Sequence, residues 1–357
     1  MKKLRVNLSE GRSYDILIEN GLLKSAGEKI KTVYNGKRIA VITDSNVKKL
    51  YAEKLTEALE KSGFEVKVID FPAGESSKNM DTVINLYDEL LNPTPFAVTR
   101  GDLIITLGGG VTGDMAGFVS ATLLRGIPFV QIPTTLLAQV DSSVGGKVAV
   151  DLKQGKNLAG VFYQPKLVII DPDTLDTLED RVFSDGLSEV IKYAVIKDKK
   201  LFSILEDAKN RKDLKLQMDE IIRICCDIKR KIVEKDEFDT GERMLLNFGH
   251  TLGHAFEKLG NYSKYMHGEA VSCGMVEILK IGEKENITEK GTAKKVEEVL
   301  RKYNLPTKAD KISNDVLMQT LSYDKKGSGK DITLVLCKKI GKAILKKYDK
   351  SVLKDLI

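Results

Sequence analysis

The sequence predicts two domains: an α/β domain built on a variant doubly wound parallel sheet over residues 1–178, and a mainly α-helical domain over residues 179–357. Three observations lead to this prediction. The chain of 357 residues exceeds the size of one typical hydrophobic core. Strand and helix patterns alternate up to about residue 172, which is typical of a parallel sheet. From about residue 180 the apolar residues recur with a helical period.

The first domain begins with a pattern that predicts a β-hairpin, at residues 3–8 and 14–18. The next segments alternate in type. The predicted strands are 37–44, 64–71, 102–110, 128–133 and 166–172, and the predicted helices are 21–32, 46–62, 79–91 and 113–122. In a parallel sheet of this kind, ligands bind at the carboxyl ends of the strands.

The second domain contains longer helical patterns. The separate helical patterns are one that begins at residue 186, residues 213–235, the histidine-containing segment, residues 268–282 and residues 289–303. Residues 331–336 and 342–347 predict a small terminal hairpin.

Composition narrows the class of protein. The net charge is +6, but the lysines are dispersed among acidic residues, which argues against a nucleic-acid-binding protein and suits a small anionic substrate. No apolar run approaches the roughly 20 residues of a membrane span. The four cysteines include no C-x-x-C pair, and we expect reduced thiols in a cytoplasmic protein.

A glycine-rich loop follows the predicted strand 102–110. Residues 108–113 satisfy G-x-G-x-x-G between a strand and a helix, where backbone amides can bind a pyrophosphate. The acidic residue that usually follows about 20 residues later is missing, whereas Asp44 and Asn46 follow an earlier strand. A dinucleotide site in a variant arrangement is therefore favoured, although an aspartate after a strand is more often a helix N-cap.

Two further polar segments lie near strand ends. Residues 72–80 contain Glu75 and Lys78, and the region from Arg125 to Asn157 is rich in glycine and lysine. Both features suit the approach of phosphate groups. Ordinary exposed loops would have the same composition.

All three histidines lie within residues 243–269. On one continuous helix, five polar residues share a sector of roughly 80°, namely Arg243, Asn247, His250, His254 and Glu257. Clustered imidazoles favour a metal such as zinc over a merely solvated helix face. The i,i+4 spacing allows His250 and His254 to bind together, with His267 or Glu257 as the third ligand. Gly249 and Gly253 predict a close approach to the helix backbone.

Taken together, these segments resemble the 3-dehydroquinate synthases, a family of sugar-phosphate cyclases. The resemblance covers residues 35–340 and rests on PAGESSK, GGGVTGDMAGF, RGIPFVQIPTTLLAQVDSSVGGK, GKNLAG, GLSEVIKYA, RMLLNFGHTLGHAFE, MHGEAV and DKK. Arg181-Val182 and residues 92–99 depart from the family pattern without touching an expected ligand.

The resemblance implies that 3-deoxy-D-arabino-heptulosonate 7-phosphate is converted to 3-dehydroquinate and phosphate. The steps would be transient NAD-dependent oxidation, phosphate elimination, re-reduction, ring opening and intramolecular aldol closure. NAD and Zn²⁺ (or Co²⁺) are the implied cofactors. The activity is that of a lyase of the shikimate pathway, which leads to chorismate and the aromatic amino acids.

The resemblance also implies a role for each matching residue. The metal ligands would be Glu189, His250 and His267. The catalytic residues would be Asp141, Lys192, Lys229 and His254, the last at the phosphate end of the substrate. The other substrate contacts would be Arg125, Lys147, Asn157, Arg243, Asn247, and Lys325 or Lys326. The NAD contacts would be Asp44, Asn46, Gly74, Glu75, Lys78, Gly110, Val111, Gly113, Asp114, Thr134, Thr135, Lys147, Lys156, Thr174, Leu175, Asp176 and Thr177.

The expected partner is a small anionic sugar phosphate, with no nucleic acid and no membrane. A homodimer is expected, in which Arg125 is donated across the interface. Two enzyme classes are the alternatives: another sugar-phosphate cyclase, acting on glucose 6-phosphate or sedoheptulose 7-phosphate, and a metal-dependent NAD polyol dehydrogenase. A basic nucleic-acid-binding protein is the alternative outside enzymes, and it would leave the clustered histidines unexplained.

Overall fold

The computed structural model describes residues 1–260, 264–310 and 331–349. It divides into two compact units. Unit 1 comprises Met1–Leu178 together with Cys225–Phe238, and unit 2 comprises Glu179–Ile224 and Asp239–Ile357. Residues 225–238, which the sequence prediction assigned to the second domain, therefore group with the first.

Unit 1 contains a seven-stranded sheet and a separate hairpin. The sheet strands are β1 Lys2–Val6, β2 Tyr14–Ile18, β3 Arg38–Asp44, β4 Glu65–Phe71, β5 Leu103–Gly108, β6 Phe129–Pro133 and β9 Leu167–Ile170, and the hairpin is β7 Lys147–Leu152 with β8 Gly155–Phe162. The sequence prediction missed β7 and β8. Val148 and Val150 alternate as a strand requires, but the surrounding glycines and lysines obscured that pattern.

The order of the sheet is β1-β2-β9-β6-β5-β3-β4, with only β1 antiparallel to its neighbour. Its parallel core, β4-β3-β5-β6-β9, has the 2-1-3-4-5 order of a doubly wound fold. The direction of winding reverses between β3 and β5, and this is the switch point where such sheets bind ligands. The predicted α/β fold class is thus confirmed.

Helices cover both faces of this sheet. They are α1 Ala26–Ile30, α2 Ser45–Val47, α3 Glu53–Lys61, α4 Met80–Leu91 and α5 Gly110–Thr122, and α2 and α3 are joined by a π-helical turn. One buried cluster packs α1 and α3 against residues such as Val41 and Ile105. The other packs α4, α5 and β7 against the opposite face. The strands in the middle of the sheet, β3, β5, β6 and β9, are therefore buried along almost their whole length, as in sheets covered on two sides.

Unit 2 is mainly helical. Its helices are α6 Asp180–Lys197, α7 Lys199–Asp207, α8 Arg211–Lys215, α9 Met218–Lys235, α10 His250–Leu259, α11 His267–Lys284 and α12 Thr292–Lys302, and its hairpin is β10 Asp331–Lys339 with β11 Lys342–Asp349. The later part of α9 belongs to unit 1. Within the described ranges, none of the helices combines the length and hydropathy that a bilayer span requires.

The single helix predicted through residues 243–257 is wrong. A 3₁₀ helix, Glu242–Asn247, ends before Gly249, whose φ of 78° is left-handed, and α10 begins at His250. A Cβ on Gly249 would lie 2.6 Å from Met275 Cγ, and one on Gly274 would lie 2.1 Å from the Gly249 carbonyl oxygen. The predicted close approach therefore exists, and α11 makes it.

Candidate active site

Three elements of unit 2 bring together one carboxylate and two imidazoles. Glu189 lies in the middle of α6 and is 1% exposed, whereas His250 and His267 are the first residues of α10 and α11. Glu189 Oε1 is 3.4 Å from His250 Nε2 and 3.6 Å from His267 Nε2. One ligand atom from each residue lies within 4.8 Å of the other two, so the group could hold a metal ion.

The chemistry of these atoms fits a divalent cation. His250 Nδ1 lies 3.1 Å from the Phe248 carbonyl oxygen, which favours the tautomer with a lone pair on Nε2, facing Glu189. Burial holds the pKa of His250 well below its usual value, so the ring is neutral. Lys192 forms an ion pair with Glu189 Oε2, whereas Oε1 has no hydrogen-bond partner among the residues that the structure describes. A cation would satisfy Oε1.

A second group overlaps the first. His254, Glu257 and His267 also offer ligand atoms within 4.8 Å of one another, and His267 Nδ1 is 3.6 Å from Glu257 Oε1. Burial opposes protonation of His267, but Glu189 and Glu257 raise its pKa to about 10. A cation would therefore compete with a proton for this ring. Neither group contains both His250 and His254, the pair that helical spacing suggested.

The 3₁₀ helix before α10 carries the two residues expected to bind a carboxylate. Arg243 is buried, and Asn247 is partly exposed four residues later. Lys192 is also buried, one turn after Glu189 on α6. Unit 2 thus gathers the expected metal ligands, one expected catalytic lysine and the expected carboxylate contacts. Lys325 and Lys326 lie outside the described residues.

In unit 1, Asp44 and the glycine-rich loop meet at the switch point of the sheet. Asp44 ends β3, and Gly110 begins α5 after β5. Asp44 Oδ1 accepts hydrogen bonds from the amides of Asn46 and Val47, and Thr112 Oγ1 donates to Oδ2. Asp44 is therefore the N-cap of α2, which was the alternative role for an aspartate after a strand. It lies at the switch point of the sheet, where such sheets bind ligands.

Lys78 connects several residues expected to contact ligands. Its Nζ donates to Asp114 Oδ2 at 2.7 Å and to Asn157 Oδ1 at 2.6 Å. Beside it, Lys156 Nζ lies 3.4 Å from Glu75 Oε1. The loop after β4 thus brings together four expected NAD contacts and one expected phosphate contact. The NAD contacts are Glu75, Lys78, Asp114 and Lys156, and the phosphate contact is Asn157.

Lys229 and Asp141 form an ion pair in unit 1. Lys229 Nζ also donates to the Asp141 carbonyl oxygen at 2.7 Å. Lys229 is buried and lies in residues 225–238, which explains why a lysine far along the sequence groups with the first unit. The pair brings together a proton donor and a proton acceptor.

Threonines follow the carboxyl ends of β6 and β9. Thr134 Oγ1 is buried and has no hydrogen-bond partner among the described residues. Thr174–Thr177 lie in the 3₁₀ helix Pro172–Thr177, where Tyr51 Oη is 2.6 Å from Thr177 Oγ1. An orphaned hydroxyl at the end of a strand suits contact with a polar ligand.

Sequence patterns gave no indication of two buried positioning residues. Gln139 Nε2 lies within hydrogen-bond distance of the Pro133 and Asp171 carbonyls and of Thr174 Oγ1, and so ties together the ends of β6 and β9. Asp185 accepts from the Glu269 amide and fixes the start of α11, and burial raises its pKa to about 6. Gln139 lies within residues 125–147, which resemble the family, but neither residue belongs to a spacing motif with a known mechanism, so only the structure could show what they contact.

Known proteins match this chain over nearly its whole length. Two family profiles match, 3-dehydroquinate synthase N-terminal over residues 68–185 and 3-dehydroquinate synthase C-terminal over residues 186–327. The chain is 54% identical to the 3-dehydroquinate synthase of Clostridium perfringens (strain SM101 / Type A) over 345 residues, which is 97% of each chain.

Solved structures of other cyclases share the fold. A 2-deoxy-scyllo-inosose synthase complexed with carbaglucose-6-phosphate, NAD⁺ and Co²⁺ has a TM-score of 0.87 at 25% identity, over 99% of each chain. The 2-epi-5-epi-valiolone synthase from Streptomyces hygroscopicus subsp. jinggangensis 5008, with NAD⁺ and Zn²⁺ bound, has a TM-score of 0.87 at 26% identity, over 99% of this chain and 98% of the other. The identity to the Clostridium perfringens 3-dehydroquinate synthase is much higher than the identity to either of these two cyclases. Together with the two family profiles, this shows that the chain belongs to the 3-dehydroquinate synthase family.

Proposed function

We propose that the chain converts 3-deoxy-D-arabino-heptulosonate 7-phosphate to 3-dehydroquinate and phosphate, with catalytic NAD and a bound Zn²⁺ or Co²⁺. The cluster of Glu189, His250 and His267 is the observation that carries the proposal, because its chemistry fits a catalytic metal with three protein ligands. The family membership supplies the substrate. A bound metal would polarise the substrate's alcohol as a Lewis acid, and NAD would accept and return a hydride.

The side chains of unit 2 would bind and orient the ring. Arg243 is proposed to hold the substrate carboxylate with two parallel hydrogen bonds, assisted by Asn247. A guanidinium fixed by burial loses little freedom on binding. His254 is proposed to act at the phosphate end, and Lys192 to donate to a ring hydroxyl while it neutralises Glu189.

In unit 1, the pair of Lys229 and Asp141 is proposed to hold or move a proton at the ring hydroxyls. The residues named above as NAD contacts would bind the dinucleotide at the switch point of the sheet, with its pyrophosphate at the start of α5. Lys147 and Asn157 would contact the phosphate of the substrate.

We also propose that the protein is a homodimer in which Arg125 acts in the partner's site. Leu124 and Arg125 have left-handed φ values of 52° and 66°, and two such non-glycine residues in succession form a strained turn of the kind that clusters at functional sites. Tyr87 Oη lies 2.6 Å from Thr122 Oγ1, which ties α4 to the start of this turn. Three apolar residues on α4 are exposed and would be covered in a dimer, namely Met80, Ile84 and Leu91.

The remaining assignments follow from the reaction. The enzyme would be a lyase of the shikimate pathway, on the route to chorismate and the aromatic amino acids, and would work in the cytoplasm. All four cysteines are free and buried, which suits a reducing compartment.

The deciding experiment measures phosphate release from the heptulosonate phosphate with catalytic NAD⁺ and zinc, while absorbance is followed at the NADH band. We expect stoichiometric phosphate, no net NADH, and loss of activity with a chelator. Steady NADH from a polyol without phosphate release would indicate a dehydrogenase instead. Phosphate release from glucose 6-phosphate or sedoheptulose 7-phosphate alone would indicate another cyclase.

A further inference from the structure

The Lys78 side chain is buried, although it carries a charge. It is 4% exposed and directly follows the 3₁₀ helix Glu75–Ser77. Burial alone would lower its pKa, but the charge of Asp114 and the hydrogen bond to Asp114 raise the pKa above its usual value. Lys78 therefore stays protonated, and an ammonium group can only donate hydrogen bonds.

Three hydrogen bonds form a closed ring between Lys78 and the hairpin of β7 and β8. The Lys78 carbonyl oxygen accepts from the Asp151 amide at 2.8 Å. Asp151 Oδ1 accepts from the Asn157 amide at 2.7 Å, and Asn157 Oδ1 accepts from Lys78 Nζ at 2.6 Å. Asn157 is therefore held by its main chain and by its side chain, in a left-handed conformation with φ of 55°.

This ring determines which way the Asn157 amide faces. The ammonium of Lys78 requires an acceptor, so Oδ1 must face it and Nδ2 must face the other way. Nδ2 carries two N–H donors, which suit the oxygens of a phosphate. A reversed amide would place N–H donors against a buried ammonium, and donors on both sides would lack an acceptor.

We propose that Lys78 is a positioning residue for phosphate recognition, which acts by orienting the Asn157 amide. The inference rests on the proposed function, in which Asn157 contacts the phosphate of the substrate. The positive charge of Lys78 is paired with Asp114 at 2.7 Å, which leaves little net charge to attract a phosphate directly. Its effect on the phosphate therefore passes through Asn157.

A double-mutant cycle tests this route. The dissociation constant of inorganic phosphate is measured by calorimetry in the zinc-loaded protein at saturating NAD⁺, for Lys78→Met, Asn157→Gly and the double variant. Glycine keeps the left-handed backbone at position 157. We expect each single change to weaken phosphate binding about tenfold, as for one hydrogen bond to a charged group, and the double change to weaken it no further. Two results would overturn the proposal. One is a double variant in which the two increases in the phosphate dissociation constant multiply. The other is a phosphate dissociation constant of Lys78→Met that stays within twofold of the value for the unmodified protein.

Asn157→Asp is a second variant that leaves Lys78 in place. An aspartate can accept from Lys78 but presents no N–H to the phosphate, so we expect weaker binding than with Asn157→Gly. Unchanged phosphate binding in Asn157→Asp would also overturn the proposal. The binding measurement needs no turnover. If the cycle gives the expected result in a protein that does not convert heptulosonate phosphate, the proposed function is refuted and the positioning role of Lys78 is not.

Discussion

The main chain next to His250 orients its imidazole towards Glu189. The carbonyl of Phe248 holds Nδ1, and Nε2 faces Glu189. We expect His250→Ala to lose bound metal and activity together, because a catalytic zinc site uses three protein ligands and the variant would retain only two of the proposed three. Metal analysis of the purified variant checks this expectation. One zinc retained per chain would remove His250 from the ligand set.

Arg243 is a buried cation in a helical unit, and its proposed partner is the substrate carboxylate. Arg243→Lys keeps the charge but loses the two-pronged geometry, so we expect KM for the heptulosonate phosphate to rise roughly 10- to 100-fold. The dissociation constant of NAD should change less than twofold. Arg211→Lys, at an arginine that pairs with the exposed Asp180, is the matched control and should alter neither constant. Equal losses for substrate and NAD in Arg243→Lys would contradict a carboxylate role.

Spacing along the chain could not choose among the candidate metal ligands. Two histidines one turn apart suggest a shared ion, yet the atoms gathered around Glu189 come from three separate helices. Their proximity depends on how α6, α10 and α11 pack. Residue types and the joint motif pattern indicated the cluster, whereas the position of Gln139 and the capping of α11 by Asp185 depend on tertiary contacts.

At the scale of elements, the crossing of α10 and α11 sets the distance between His250 and His267. A Cβ on Gly274 would lie 2.1 Å from the Gly249 carbonyl oxygen. We expect Gly274→Ala to push the helices apart, to destabilise the protein by about 1–3 kcal/mol as overpacking does, and to weaken zinc binding. Denaturant unfolding and zinc titration measure the two effects.

Gly291→Ala is the control for this prediction. Gly291 has a φ of 86°, and a Cβ at this position would lie more than 4 Å from every described residue other than its two chain neighbours. The substitution should therefore cost only the backbone strain of a left-handed residue, about 1 kcal/mol, and leave zinc affinity unchanged. Normal zinc binding in Gly274→Ala would show that the crossing does not set the site.

The elements themselves were largely predictable, because β5, β6 and β9 are short, mostly apolar runs and helices such as α3 and α4 are amphipathic. Two failures have physical causes. The strand pattern of β7 and β8 is masked by glycines and lysines that also suit phosphate loops. Periodicity does not reveal the break at Gly249, because polar residues recur with a helical period on both sides of it. The break accompanies the close approach of α11 to the Gly249 backbone.

At the scale of the whole molecule, the strained turn at Arg125 leads to a test of the proposed homodimer. If Arg125 serves the partner's site, Arg125→Ala and His250→Ala impair different sites of one mixed dimer. The site with its own His250 then receives Arg125 from the other chain and is complete. Random mixing makes about half of the dimers mixed, each with one complete site, so about a quarter of wild-type activity should return.

The measurement mixes the two inactive variants under conditions that exchange subunits and follows phosphate release. A mixture of His250→Ala and Lys192→Met is the matched control, since both residues lie in unit 2 of the same chain and no complete site can form. Recovery in the first mixture alone would establish that Arg125 acts across the interface. No recovery in a mixture that sedimentation shows to contain mixed dimers would place Arg125 in its own chain's site. The exposed apolar stripe of α4 would then need another explanation.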